Sequence, residues 1–183
     1  MRKGIGASNH FEAGGFIGSN NQVEYPNLQY HFLPIAIRYD GTSAQRGHGY
    51  QVHVGPVKSD VRGHVRITSA NATDYPEIVF NYRSTEQDRR EWVEAIRCTR
   101  DIMTQPAFEP FRGEELAPGP NVQTDEEILA FITQESESAY HPSCTCKMGL
   151  DARAVTPEAA TRSRLAPNAA NARLKASVCW SQR

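Results

Sequence analysis

GYQVHVGPV, Gly49 to Val57, alternates Tyr50, Val52 and Val54 with Gln51, His53 and Gly55. Successive side chains of a strand point to opposite faces, so a period of two with one apolar set predicts a half-buried β-strand. The stretches around it carry a related signal. LQYHFLPIAIRYD, Leu28 to Asp40, is rich in β-branched and aromatic residues and runs into Asp40-Gly41, a turn dipeptide. In GHVRITSA, Val65 and Ile67 alternate with Arg66 and Thr68, and YPEIVFNY (Tyr75 to Tyr82) reads as a fourth strand entered through Pro76. The segments between them are short enough for antiparallel connections. Upstream, Met1 to Asn27 is rich in Gly and Asn and reads as loop, with a short strand within His10 to Ile17.

The period then changes. Ser84-Thr-Glu-Gln87 fits a capping box, and behind it Trp92, Val93, Ile96, Thr99, Arg100 and Met103 recur at spacings of three and four. Pro106 ends that helix. GEELAPGP reads as loop, and Thr124-Asp-Glu-Glu127 as a second capping box. Ile128, Leu129, Phe131 and Ile132 give the next, shorter helix its apolar face, which runs out near Ser136 to Ser138. Arg89, Arg90, Glu91, Glu94 and Arg97 read as the solvated face of the long helix. Strands first and helices after predict an α+β fold, an antiparallel β-sheet flanked by helices.

The 183 residues suffice for one domain with its own core. Hydrophobic residues make up 39% and charged residues 22%, the balance of a globular chain, and the formal net charge is -1. No basic excess points to nucleic acid, and the longest apolar runs fall far short of the roughly 20 residues a membrane span needs. The start has two basic residues with no apolar core behind them, which is unlike a signal peptide. Cys98, Cys144, Cys146 and Cys179 show no disulfide framework, so a reducing, cytoplasmic setting is expected, with membrane association of a longer form left open. Ala152 to Arg183 is Ala- and Arg-rich and is expected to bury little.

SAYHPSCTCKMG, Ser138 to Gly149, concentrates chemistry. Cys144 and Cys146 offer two thiolates and His141 a third ligand, but a structural zinc site needs four, usually with wider Cys spacing, so no metal site is assigned. A redox pair more usually has two residues between its cysteines. Incidental thiols in a packed loop satisfy the pattern better. His141 sits before Pro142, which restricts its backbone to extended conformations. That is a firm mount for an imidazole, and both a structural and a catalytic role fit. His31 shares a face with Gln29 and Leu33 and points either into core or into a cleft; His53 and His64 fit surface positions.

Taken together, NHFEAGGFI, YPNLQYHFLPIAIRYDG, GYQVHVGPVKSDVRGHVRITSANATDYPEIVFNY and AYHPSCTCKMG resemble the C-terminal half of the choline-oxidising branch of the glucose–methanol–choline (GMC) oxidoreductases. The resemblance covers about Gly4 to Gly149, with several separated motifs in the same order. It implies an FAD-dependent enzyme that oxidises choline to betaine aldehyde, toward glycine betaine, with choline as small-molecule substrate. It implies that His141 is the catalytic histidine beside the flavin and, from its place in PNLQYH, that His31 binds substrate. It implies the family's substrate-binding domain, an antiparallel sheet flanked by helices, over residues 1–150.

The same resemblance marks departures. The family's Rossmann-like FAD-binding domain, with its Gly-rich loop, is expected to be missing, and no flavin-binding residue is assigned. The family continues past the histidine loop with a run like LRVVDASVMP and then a GN-N segment. Residues 151–183 are expected to be a divergent tail, frameshifted or disordered, without either. The chain alone is expected to hold FAD weakly or not at all and to show no dehydrogenase activity. A GMC alcohol dehydrogenase of another substrate, or a non-catalytic choline-binding remnant, are the alternatives.

Overall fold

The computed structural model describes residues 7–37, 48–140 and 174–182. His141, Cys144 and Cys146 lie outside the described residues. The elements run β1 (Ala13–Ile17), β2 (Leu28–Leu33), β3 (Gly49–Pro56), β4 (His64–Arg66), β5 (Glu77–Val79), α1 (Glu86–Met103), a 3-10 turn (Pro106–Phe108), β6 (Arg112–Ala117), α2 (Asp125–Glu135), β7 (Glu137–Ser138) and β8 (Leu174–Gln182). Two compact units divide them. The first takes the described residues of Met1–Val57, Arg90–Glu137 and Leu174–Arg183; the second takes those of Lys58–Arg89 and Ser138–Arg173.

The first unit is built on an antiparallel sheet in the order β1-β2-β3-β8-β6, with β7 pairing β8 off that path. Register fixes its faces. Tyr30 pairs Val54 and Phe32 pairs Val52, while Tyr50 pairs Trp180 and Val52 pairs Val178. These side chains form one core with Trp92, Val93, Ala95, Ile96 and Met103 of α1 and Ile128 and Ile132 of α2. Burying each large member contributes about 2 kcal/mol. The Tyr30 hydroxyl donates to the Ala95 carbonyl at 3.4 Å, and burial pushes its phenol pKa up. The expected antiparallel sheet with helices is therefore present.

Helix ends follow local chemistry. At α2 the expected capping box forms: the Thr124 hydroxyl accepts the Glu127 N–H at 3.2 Å, and the Glu127 carboxylate accepts the Thr124 N–H at 2.9 Å. The Thr124 N–H, joined by the Gln123 N–H at 2.8 Å, holds the Glu127 carboxyl below its usual pKa. At α1 the cap sits one residue later than expected. Thr85, not Ser84, accepts the Asp88 N–H, and the Asp88 carboxylate accepts the Arg83 N–H.

Five expectations need correction. Gly113–Pro120 was expected as loop, yet its first part lies in β6, whose pairing with β8 is broken by register shifts. Among the described residues β4 and β5 pair only with each other, as a separate ribbon whose Val65 and Ile78 are exposed. Glu91 is buried rather than solvated. The weak patterning expected of Ala152 to Arg183 fails at its end, because β8 lies between β3 and β6 with Ala176, Val178 and Trp180 in the core. Finally, β3 is buried on both faces, not one.

Candidate active site

The second face of β3 carries the polar half of its alternation. Gln51 is fully buried and His53 is 2% exposed. Antiparallel pairing sets His31 of β2 opposite His53, and Ser177 of β8 on its other side; Gln51 likewise lies between Leu33 and Cys179. The sheet thus gathers two imidazoles, an amide and a thiol on one surface. Phe11 lies edge-on to both rings, with centroids 5.9 Å from His31 and 6.5 Å from His53.

The polar contacts here are specific. Gln51 Oε1 accepts the Ile37 N–H at 3.0 Å and the Cys179 Sγ–H at 3.6 Å. Gln51 Nε2 lies 2.7 Å from His53 Nε2. Burial, and then the positive charges of Lys175 and His31, bring the His53 pKa down to about 3. His53 is therefore a neutral imidazole at ordinary pH. Burial also lowers the Lys175 pKa, opposed by the Glu137 carboxylate. A neutral imidazole and an amide in a low-dielectric surface can exchange hydrogen bonds with an alcohol without the cost of desolvating an ion.

His31 therefore stands in a built polar surface rather than in core. His53, expected at the surface, is a correction: the sheet is covered on this side too, and a buried imidazole survives by hydrogen bonding. The missed signal was the composition of the alternation. Gln51, His53 and Gly55 carry no fixed charge, whereas a solvated strand face usually does. His64 is a surface residue as expected, 3.0 Å from Glu77 across the β4–β5 ribbon. Cys98 is a free thiol on α1 whose pKa burial pushes up. No cluster of three metal-ligating side chains occurs among the described residues.

The GMC oxidoreductase C-terminal family model matches residues 59–164. The chain belongs to the GMC oxidoreductase family. It is 61% identical over 148 residues to the oxygen-dependent choline dehydrogenase of Staphylococcus xylosus, and 60% identical over the same length to that of Staphylococcus saprophyticus. Each match covers 81% of this chain and 26% of the relative, so the chain spans about a quarter of the length of these relatives. Among solved structures, the pyridoxine 4-oxidase described as from Mesorbium loti superposes with a TM-score of 0.69 at 26% identity, covering 83% of this chain and 30% of that one. The GMC C-terminal fold expected from the motifs is thus the fold found.

Proposed function

We propose that this chain is the substrate-side portion of an FAD-dependent choline dehydrogenase that oxidises choline to betaine aldehyde, toward glycine betaine. The observation that carries the reading is the buried polar sheet face around His31, in a chain 61% identical to a choline dehydrogenase over 81% of its length. In this reading His31 orients the substrate. His141 accepts or stabilises the hydroxyl proton, the work of a positioned imidazole near neutral pH. FAD, when bound, would supply the hydride acceptor for the alcohol carbon. The face fits the substrate side of such a reaction, because its groups are hydrogen-bonding and largely uncharged. It does not resemble a pyrophosphate cradle, which needs a Gly-rich loop at a helix N-terminus, so no described residue is assigned to the flavin. A cytoplasmic setting is part of the proposal.

The 26% identity to a pyridoxine oxidase favours one runner-up, the same scaffold with another alcohol. A chimera separates the two. The matched 148-residue segment of the Staphylococcus xylosus enzyme is replaced by this chain's, and steady-state rates are compared for choline and for simple alcohols. The proposal expects choline to be preferred at least tenfold in kcat/KM. A flavin-loaded chimera that prefers an uncharged alcohol would favour the runner-up.

A further inference from the structure

Gln51 has a direction that its neighbours fix. An amide oxygen only accepts and an amide nitrogen only donates. Two donors, the Ile37 N–H and the Cys179 Sγ–H, converge on one end of the side chain, which identifies that end as oxygen. The end 2.7 Å from His53 is then the NH2 group. His53 Nε2 must accept, so it carries no proton, and a neutral ring keeps its single proton on Nδ1. Protonating Nε2 would set two donors face to face in a site without solvent access to relieve them.

We propose that Gln51 and His53 are positioning residues of the histidine face: Gln51 locks His53 as the neutral Nδ1–H tautomer, and the locked ring keeps positive charge away from His31, its register partner. The groups packed around His53 agree with this role. β2 contributes His31, β8 contributes Ser177 and Lys175, the N-terminal segment contributes Phe11, and Lys175 has the Glu137 carboxylate as a counter-charge. A second imidazolium here would repel a protonated His31. It would also repel a quaternary ammonium substrate, and only this last point rests on the choline reading.

The test uses the full 183-residue chain labelled with 15N-histidine. Long-range 1H–15N correlations, assigned through the backbone, report which ring nitrogen of His53 is protonated. The expected result is protonated Nδ1 and unprotonated Nε2, unchanged from pH 5.5 to 8. Gln51→Glu, which places an acceptor at the same point, is expected to move the proton to Nε2. An Nε2–H tautomer in the unsubstituted chain, or a His53 that titrates in that window, overturns the proposal without any variant having to fold. Adding choline to the same sample probes the functional reading separately. Unmoved His31 signals would count against choline at this face and leave the tautomer result standing.

Discussion

His31 and His53 face each other as register partners on β2 and β3, and the ring of Phe11 lies edge-on to both. This pairing turns the polar half of two strand alternations into one surface. It exists because the opposite half of each strand is committed to the helix-covered core.

The His53 environment fixes the sign of a pH effect. The pKa falls from 6.5 to about 3 on folding, so the unfolded chain binds the proton more readily between those values. The stability that depends on neutral His53 is complete above about pH 6.5 and is lost as pH falls toward 3. Each pH unit inside the window costs about 1.4 kcal/mol, so about 2 kcal/mol disappears between pH 7 and pH 5. Urea midpoints at the two pH values read this directly. A His53→Asn chain that shows the same loss would assign the effect elsewhere.

Gln51→Leu removes the acceptor of the Ile37 N–H and the Cys179 thiol and the donor to His53 at once. Losing hydrogen bonds at a buried amide costs about 1–3 kcal/mol each, so a loss of about 3 kcal/mol is expected from chemical denaturation. A loss below about 0.5 kcal/mol would mean that water reaches this face.

β8 is the strand that joins β3 to β6. Trp180 is buried and stacks on Tyr50 with ring centroids 5.8 Å apart. Trp180→Ala is expected to cost about 3–5 kcal/mol. Deleting residues 174–183 should abolish cooperative unfolding altogether, seen as a sloping thermal melt. A sharp melt in the shortened chain would contradict the strand order.

Arg100 binds α1 to the chain beyond β6. Its guanidinium donates to the Glu115 carboxylate at 2.8 Å and to the carbonyls of Val122 and Gly119 at 2.7 and 3.0 Å. Only the planar fork of arginine serves three acceptors in this geometry. Arg100→Met leaves the mostly buried Glu115 carboxylate and both carbonyls behind, and a loss of about 3 kcal/mol is expected. Arg100→Lys should recover less than half of it, measured by the same urea titration.

The helices and the strands β2 and β3 were readable because their apolar periods are unbroken over several residues. The two helices also announce themselves by capping-box patterns, although at α1 the cap is Thr85 rather than the expected Ser84. β8 was missed although Ala176, Val178 and Trp180 alternate with Ser177 and Cys179, because the Ala- and Arg-rich stretch before them dilutes the signal. Lys175-Ala-Ser-Val178 also differs by one residue from the DASV of the family run said to be absent, and these residues lie in β8. β6 offered little: Glu114 and Glu115 are poor strand formers, and the pairing is imposed by β8, far along the chain. His31 was singled out from its motif. Its partner His53 was not: the charge-free alternation of Gln51, His53 and Gly55 was passed over, and the period alone does not tell a covered second face from a solvated one.

The most direct test of the account is anaerobic flavin reduction in the chimera that carries this chain's segment. With saturating choline, the flavin absorbance near 450 nm should bleach in a single turnover. His31→Ala should raise the choline concentration needed by at least tenfold, and His141→Ala should slow the bleaching by about 100-fold or more, the usual worth of a positioned acid–base group. A flavin-loaded chimera whose absorbance choline leaves unchanged, while another alcohol bleaches it, would contradict the assignment of choline as substrate.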